Sequence, residues 1–495
     1  MRANYGLIFF FILWPMLLIS QKPKSNLPLE SEIYSYLDYQ ISSGEFNPYF
    51  ALYQPYRFDE VFAKSGTKWN SYFYEYWKQY VARGKANLFI NLRESAKWDK
   101  ALLNRYRLAG GLFFTNQYLT LVNQTAVDQE YKYDANFAGD LSESDHWLYG
   151  RVNEAYADIH LKKFNLFYGR THRNWGPLSD YSLILSNNPY TYDHLLLAVN
   201  FKRIRFSLIY AQLDERDALY TSDQDEPIFE AKNARRNLIG HRLDIHLNNN
   251  LQFALTEMAT YGGENRPFEW AFLNPMNFYY PIQRNDRKQM DGFWCADVFW
   301  RPFNKTTVWG QFLIDDIIVN NDPGVNDRGR YPDRLGILAS FRRADWLIPA
   351  SHWTVTYVRI WNRTYQSKFS WENYHYRGYG LGYPVPGMEE IKFKLHLWQL
   401  FPVYLSNEFI YGRYGSASVT DLFPLKKEPF PLRPVIENFI YHLKFRYFAN
   451  KHLRALGDVW YRKHANHYSN RYSERANWLV KFGVEYLLDF GINVD

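Results

Sequence analysis

At the end of the chain, from Val480 to Val494, every second residue is apolar. The apolar positions are Val480, Phe482, Val484, Tyr486, Leu488, Phe490, Ile492 and Val494. A period of two predicts a β-strand with one apolar face. The stretch is longer than an ordinary strand of about 5–6 residues and exceeds the roughly 9–11 tilted residues that cross a bilayer. We interpret it as the last strand of a membrane barrel, which must pair with the first strand. A long strand of a soluble barrel or sandwich is the alternative.

The composition agrees with a membrane barrel. Aromatic residues make up 19% of the 495 residues, with 42 Tyr, 37 Phe and 17 Trp, yet the mean hydropathy is only -0.46. Aromatic girdles around the outside and a wet interior produce this combination. The single cysteine, Cys295, excludes an internal disulfide framework. A net charge of +7 without a long basic run makes nucleic acid a poor candidate partner.

The first residues have the pattern of a secretory signal. Arg2 supplies a positive charge, an apolar run extends from Leu7 to Ile19, and polar residues follow. We therefore predict a cleaved signal peptide over residues 1–20. A secreted chain with long amphipathic strands and no second apolar helix belongs in the outer membrane of a Gram-negative bacterium, in contact with its lipid.

Residues 27–84 change from a period of two to a helical period. The first helical run contains Leu29, Ile33, Tyr36, Leu37 and Ile41 and ends at Ser43-Gly44. The second contains Trp69, Phe73, Tyr76, Trp77 and Tyr80 and ends near Gly84. This spacing predicts a small helical bundle. We place it on the periplasmic side, where it would cap or plug the barrel lumen.

Residues 87–495 predict an all-β membrane barrel of antiparallel strands. We count about 16–18 strands, and single-chain bacterial barrels use an even number. Many second faces are cationic, as at Arg203 and Arg205. They must face the lumen, because Arg or Lys facing lipid at mid-depth costs about 2–4 kcal/mol. Residues 214–236, 320–333, 365–387 and 414–434 have the composition of loops.

The most unusual stretch runs from Gly169 to Pro189. It gathers cations, amides and an indole, namely Arg170, Arg173, Trp175, Asn187 and Asn188, around a Gly176-Pro177 turn. Amides and guanidinium groups hydrogen-bond the hydroxyls and carboxylates of sugars, and an indole ring can cover a sugar face. This composition favours carbohydrate binding. The alternative is a structural corner inside the barrel, where the same side chains satisfy the backbone of a bent segment.

The same stretch resembles the signature of the Wzi-type capsule-assembly family. The similar residues are Gly169-Arg170, Trp175-Gly176-Pro177 and the run from Ser182 to Asn188, with further likeness at Phe272 to Pro275, Tyr279-Tyr280 and Gly310 to Asp316. The resemblance implies an outer-membrane barrel of about 18 strands with a periplasmic helical bundle. It also implies a lectin-like role in holding capsular polysaccharide. On this interpretation Arg170, Arg173, Trp175, Asn187 and Asn188 bind polysaccharide, while Gly176, Pro177, Asn274, Pro275 and Asp316 are structural.

Other chemistry has little support in the sequence. Asp315 and Asp316 are neighbours on a strand and point to opposite faces, so they cannot act together on one substrate. There is no nucleophile elbow or P-loop, and we predict no catalytic residue, metal or cofactor. We therefore predict a non-enzymatic, monomeric barrel that binds surface polysaccharide. The alternatives are an outer-membrane channel for anionic solutes and, with less support, a surface hydrolase.

Overall fold

Eighteen antiparallel strands close into a barrel in the computed structural model of the chain. The structure describes residues 25–62, 67–78, 86–98, 102–116, 118–133, 137, 149–222, 226–317, 333–424, 428–468 and 471–492. The predicted signal peptide, the predicted helix end near Gly84 and nearly all of the predicted loop 320–333 lie outside these residues. None of the helices in the described part of the chain is long and apolar enough to cross a membrane.

The barrel strands follow one another around the wall in chain order. They are β1 Ala86–Trp98, β2 Leu102–Thr115, β3 Leu119–Asp128, β4 Tyr149–Leu161, β5 Phe164–Arg170, β6 Asp193–Phe201, β7 Ile204–Gln212, β8 Pro227–Asn248, β9 Leu251–Gly263, β10 Asp291–Phe303, β11 Thr306–Asp316, β12 Arg334–Ala344, β13 Ser351–Ile360, β14 Met388–Leu397, β15 Val403–Tyr414, β16 Val435–Phe448, β17 Leu453–Tyr468 and β18 Arg471–Ile492. β18 pairs with β1 in register from Ala86↔Ile492 to Trp98↔Val480. The predicted pairing of the last strand with the first is therefore confirmed.

The alternation in β18 separates a lipid face from a lumen face. Phe482, Val484 and Tyr486 keep 62%, 51% and 42% of their surface exposed on the outside of the ring. Glu485 points inward, where it accepts hydrogen bonds from Arg93 and forms an ion pair with Arg454. Because outward side chains are apolar and inward ones polar, the wall is that of a membrane barrel.

Five helices accompany the barrel. They are α1 Ile33–Ser43, α2 Phe58–Val61, α3 Lys68–Lys78, α4 Trp270–Leu273 and α5 Tyr279–Asn285. α1 ends where the sequence predicts, because Gly44 adopts the left-handed φ of 87° and donates its N–H to Ile41 O. α3 lies at the end of the barrel that carries the short turns, where the Trp69 Nε1–H donates to Trp398 O at 2.6 Å.

Residues 25–62 form a plug that crosses the lumen. Glu32 forms ion pairs with Arg446 on β16 and Arg454 on β17. On the opposite wall, Tyr49 stacks on His246 of β8 with ring centroids 4.3 Å apart. Contacts with both walls require that the plug lies inside the ring, and its helix α1 is buried along most of its length.

Two further segments fold into the lumen from the end with the long loops. The first is the insert, residues 171–192, between β5 and β6. The second is the inner loop, residues 361–387, between β13 and β14. The short strand Asn174–Trp175 of the insert pairs with Tyr53–Gln54 of the plug. Tyr365 and Tyr374 of the inner loop donate their hydroxyls to insert carbonyls at 2.7 and 2.6 Å. Plug, insert and inner loop thus form one connected stack.

The predicted loop 214–236 is wrong over most of its length. β8 begins at Pro227, and Arg216–Thr221 pairs with its first residues as a hairpin that extends the wall. This part of β8 does not alternate with a period of two: Ile228 and Phe229 are consecutive and both exposed, while Ala231 and Ala234 cluster with Trp371 of the inner loop. The period-two signal is therefore missing although the strand is present.

Candidate functional site

Trp175 lies at the centre of the insert, without exposed surface. Its carbonyl accepts hydrogen bonds from Ser182 Oγ at 2.6 Å and from Gln311 Nε2 at 2.9 Å. Its ring stacks on Tyr53 of the plug with centroids 5.9 Å apart. A ring enclosed in this way packs the plug against the insert and has no face free for a sugar.

Gly176 and Pro177 form the tight turn after Trp175. A Cβ added at Gly176 would lie 2.6 Å from Gln311 Nε2, so a larger residue would push that amide away from the Trp175 carbonyl. The Pro177 carbonyl accepts a hydrogen bond from Asn174 Nδ2 at 2.9 Å. These contacts fit the predicted structural role of the two residues.

The two predicted arginines, Arg170 and Arg173, lie apart from each other and do not share a cleft. Arg170, at the end of β5, donates to Asp193 on β6, and both side chains are partly exposed. Arg173 is buried, donates to His194 Nε2 at 2.7 Å and lies 4.3 Å above the Phe167 ring. Each arginine has a structural partner. Their predicted contact with polysaccharide stays a prediction.

Asn187 and Asn188 border an open cavity of about 320 Å³ between the insert and the wall. We call this the tyrosine cleft. Its lining includes aromatic rings, amides and cations: Tyr131, Tyr190, Tyr379, Gln124, Asn153, Asn187, Asn188, Arg107, Arg151 and His172. The cleft lies beside the long loops, and most of these side chains are only partly buried. It is the place where the predicted combination of rings, amides and guanidinium groups is accessible.

Arg151 is the cation best placed in the tyrosine cleft. Its guanidinium carbon lies 3.4 Å from the centroid of the Tyr190 ring, and Tyr190 meets Tyr379 edge to face at 5.4 Å. Among the residues that the structure describes, Arg151 has no carboxylate within ion-pair distance. It donates a long hydrogen bond to Thr191 Oγ1 at 3.5 Å. Arg107 in the same cleft lies 3.8 Å from Asp128.

Glu30 of the plug forms the floor of the tyrosine cleft. His172 Nε2 lies 3.2 Å from Glu30 Oε1, and the Glu30 side chain is 68% exposed to the cleft. The hydrogen bond from His172 lowers the pKa of Glu30 to about 2. The floor therefore carries an ionised carboxylate that is already paired.

A second cavity, of about 660 Å³, follows the wall from β14 to β16 and shares Glu30 and Asn187 with the tyrosine cleft. We call it the lysine cleft. Asp180 of the insert lies at its edge, 3.1 Å from Lys392 Nζ and 3.2 Å from both Lys394 Nζ and Arg342 Nη2. Burial alone would raise the pKa of Asp180, but these three cations hold it below its ordinary value. Lys444 also faces this cleft and has no carboxylate partner among the described residues.

The remaining predicted residues lie outside both clefts. Asn274 and Pro275 form the turn between α4 and α5, where Asn274 Oδ1 accepts the Met276 N–H at 3.1 Å. Asp316 is half exposed at the end of β11, whereas Asp315 is buried against Arg334 at 2.8 Å. Among the described residues no group of three or more His, Cys, Asp or Glu side chains is arranged to hold a metal ion.

Sequence reasoning missed Arg151 and Tyr379. Tyr190 directly follows the predicted stretch, so a slightly longer window would have included it. Arg151 begins an ordinary strand and Tyr379 lies within an aromatic loop, so neither carries a local signal. Only the folding of the insert and the inner loop into the lumen brings the three together.

Comparison with known proteins places this fold in context. The sequence profile of the family described as "Capsule assembly protein Wzi" matches residues 90–340. The structure of Wzi from Escherichia coli is described as that of a carbohydrate-binding β-barrel involved in group 1 capsule assembly. It aligns with 93% of this chain and 99% of its own, with a TM-score of 0.62 and 13% identity. No curated protein sequence matches the chain.

Two other barrels align over less of the chain. Acinetobacter baumannii OccAB2 aligns with 82% of this chain and 98% of its own, with a TM-score of 0.47 and 8% identity. Pseudomonas aeruginosa OprD aligns with 83% of this chain and 98% of its own, with a TM-score of 0.44 and 10% identity.

Proposed function

The chain belongs to the Wzi capsule-assembly family, and on that premise we propose that it binds surface polysaccharide in the tyrosine cleft and helps to hold it at the cell. The role is lectin-like and non-enzymatic: the cleft would grip a segment of the polymer without cleaving it. The E. coli relative, a carbohydrate-binding barrel, supports the ligand class.

The observation that carries this proposal is the chemistry of the tyrosine cleft. Partly exposed rings of Tyr190 and Tyr379 offer faces and edges for a sugar ring, and the amides of Asn153 and Asn187 offer both donors and acceptors to hydroxyls. A pocket with several such polar groups around aromatic side chains is typical of small-ligand sites. A sugar segment would therefore replace water in the cleft without leaving polar groups unpaired.

Arg151 favours an acidic polymer. A guanidinium group binds a carboxylate with two parallel hydrogen bonds, and Arg151 has none of the described carboxylates as a partner. We infer that the segment held in the cleft carries a carboxylate or another acidic substituent.

The orientation of the barrel follows from its loops. Long loops of outer-membrane barrels lie outside the cell and short turns lie in the periplasm. The tyrosine cleft is at the long-loop end, so it would face the capsule. α3 contacts the short-turn end at Trp398, and the plug extends from there into the lumen. We infer that the helical part of residues 27–84 faces the periplasm and that residues 87–495 contain the membrane-spanning strands. Cleavage of a signal peptide over residues 1–20 fits this placement.

The anion-channel alternative has less support. Three segments cross the lumen in the described part of the chain. Inward cations are mostly paired, as Arg342 is with Asp38 at 2.6 Å and Arg242 with Asp297 at 2.8 Å. A lumen with paired cations offers a passing anion little attraction.

The test is the distribution of capsular polysaccharide between cell-attached and released fractions. We expect a deletion strain to keep its total polysaccharide and to shift it to the released fraction. Arg151→Gln and Tyr190→Ala should reproduce that shift. Arg235→Gln, a charge-matched change at an exposed site on β8 outside the cleft, should not.

If deletion leaves both fractions unchanged, the proposed function is wrong. If deletion shifts them but the cleft variants do not, the site lies elsewhere.

A further inference from the structure

The loop between β9 and β10, residues 264–290, folds onto the outer face of the barrel. We call it the outer loop; it contains α4 and α5. Phe272 and Tyr279 have no exposed surface and pack on Ile239, Ala259 and Tyr261 of the wall. The sequence motif at Phe272 to Pro275 and Tyr279-Tyr280 therefore lies outside the ring, remote from the polysaccharide site.

The contacts of β8 show which face is covered. Arg236 and Arg242 point into the lumen, where they donate to Trp371 O and Leu52 O. Ile239 and His241 alternate with them, so they point outward, toward lipid. The outer loop thus occupies a part of the wall that lipid would otherwise contact.

Beneath the loop lies an outward-facing charged pair. His241 Nε2 is 3.1 Å from Glu257 Oε2, and Glu257 Oε1 accepts the Tyr279 N–H at 3.0 Å and the Trp294 Nε1–H at 2.7 Å. Charged groups in direct contact with lipid are unfavourable. The loop covers the pair and supplies one hydrogen bond to Glu257, from the Tyr279 N–H, while Trp294 of β10 supplies the other. This cover explains how the wall tolerates the pair.

The loop lies at the height of the outer membrane interface. Trp294 and Phe303 are exposed on the outward face of β10, near its long-loop and short-turn ends. At about 3.4 Å per residue and a tilt of about 40°, they are separated by about 23 Å along the membrane normal, close to the roughly 25 Å of an apolar band. Trp294 therefore belongs to the outer aromatic girdle. Tyr280 of the loop packs beside it at 5.8 Å.

The free surface of the outer loop is apolar with cations along one side. Trp270, Met276 and Phe278 are 76%, 83% and 68% exposed. Arg284 and Arg287 are exposed near the loop's end and have no acidic partner among the described residues. Exposed apolar residues of this size mark a contact surface.

We propose that the outer loop is a binding site for a phosphorylated glycolipid of the outer leaflet. Acyl chains lie against Trp270, Met276 and Phe278, and headgroup phosphates pair with Arg284 and Arg287. Lipid is favoured over a protein partner because the loop continues the barrel's own lipid belt, where Leu255 and Phe312 are 56% and 41% exposed. The site is independent of the tyrosine cleft.

The first experiment asks whether Trp270 contacts acyl chains. The full chain is refolded into phosphatidylcholine vesicles with brominated or ordinary acyl chains, and the fluorescence of Trp270→Phe is subtracted from that of the unchanged protein. We expect brominated chains to quench the difference spectrum, because a Trp side chain at the membrane interface is within contact of the acyl chains. If brominated chains leave it unchanged and aqueous acrylamide quenches it, the surface faces water or a protein and the proposal is wrong.

The second experiment tests the phosphates. Vesicles of phosphatidylcholine contain either bisphosphorylated or dephosphorylated lipid A, and the lipid retained by the washed protein is measured by mass spectrometry. Arg284→Gln and Arg287→Gln should each lower retention of the phosphorylated form by about fivefold, the effect of one basic residue near an anionic surface. Arg235→Gln is the control.

Three outcomes overturn this part. The first is equal retention of the two lipids, and the second is an equal loss in Arg235→Gln. The third is displacement of the lipid by inorganic phosphate alone, which would make the arginines a free-phosphate site. Because no arm measures polysaccharide, failure here leaves the proposed function untouched.

Discussion

At the scale of single residues, Asp180 connects the insert to two parts of the wall. It lies within 3.2 Å of Lys392, Lys394 and Arg342 and is almost completely buried. Removing one charge of a buried ionic group leaves its partners as uncompensated buried charges. This destabilises the folded state by more than the intact pair stabilises it. The insert, and with it the border of both clefts, therefore depends on this carboxylate.

We predict that Asp180→Asn lowers the free energy of unfolding by about 3–5 kcal/mol. The measurement is the temperature at which the barrel loses its fast mobility on a gel in mild detergent. Asp193→Asn is the matched control, because its pair with Arg170 is 51% exposed on the Asp193 side and should contribute less than about 1 kcal/mol. Equal effects of the two variants would contradict the role of Asp180.

Gly169 lies at the end of β5 in a backbone geometry that admits no side chain. Its φ is 132°, and an added Cβ would lie 2.1 Å from Ala155 O. We predict that Gly169→Ala destabilises the barrel by at least about 1–3 kcal/mol, since strained backbone alone costs this much. At Gly457 the nearest atom would be 3.6 Å away. Gly457→Ala should melt within a few degrees of the unchanged protein in the same gel assay.

The residues of the predicted polysaccharide stretch show what sequence can and cannot tell at this scale. Composition identifies Arg173 and Trp175 as unusual, and both have specific contacts. It cannot tell that the Trp175 ring is enclosed by the plug, because its neighbours Tyr53 and Gln311 are more than a hundred positions away in the chain. Asn187 and Asn188 reach an open cleft only because the insert turns back toward the rim.

At the scale of elements, α1 is tied to the wall by charge. Burial alone would raise the pKa of Glu32, but Arg446 and Arg454 hold it at about 2. A lowered carboxyl pKa stabilises the folded state at pH values above 4.5, its ordinary value, and the contribution is lost as pH falls toward 2.

We therefore predict that the plug loosens from the wall as pH falls from about 5 to about 2. Hydrogen exchange of residues 33–43, measured relative to the intrinsic exchange rate at each pH, should accelerate over this interval in the unchanged protein. In Glu32→Gln it should already be fast at neutral pH and change less over the interval. An unchanged pH profile in the variant would show that other carboxyl groups control the plug.

Elements with one apolar face were predictable, and elements outside that rule were not. β18 and α1 follow periods of two and 3.6 residues, so their type and the end of α1 at Gly44 were evident. The extended hairpin of β8 lacks the period of two, because its apolar residues are either consecutive, as Ile228 and Phe229 are, or small alanines that cluster with Trp371 of the inner loop. The outer loop was not predictable either. It covers outward polar side chains such as Glu257, which simple alternation would assign to the lumen.

At the scale of the whole molecule, the lumen is occupied from end to end by the plug, the insert and the inner loop. The overall barrel was predictable because closure and alternation are properties of every strand. Of the three segments that fill the lumen, only the plug was predictable, and only as a helical segment. The inward folding of two long loops depends on contacts such as Tyr374 with Ile184 O, which no local pattern encodes.

We predict that the intact protein is silent in planar lipid bilayers at neutral pH. The stack of segments leaves separate clefts instead of an open passage among the described residues, so ions have no continuous water path. Single-channel recording of the purified protein, with a general porin as the positive control, measures this. Steady conductance at neutral pH would favour the channel hypothesis.

The pairing of β18 with β1 also sets an order of assembly. β1 follows the plug directly in the chain, whereas β18 comes after every other strand, so the ring stays open until the end of the sequence has folded. Once it is closed, bulky rings such as Trp69 and Trp175 have no gap through which to enter. The interior must therefore be in place when the seam forms, and packing of the lumen and closure of the wall become a single event. A chain cut short before β18 would lose its enclosed interior along with its last strand.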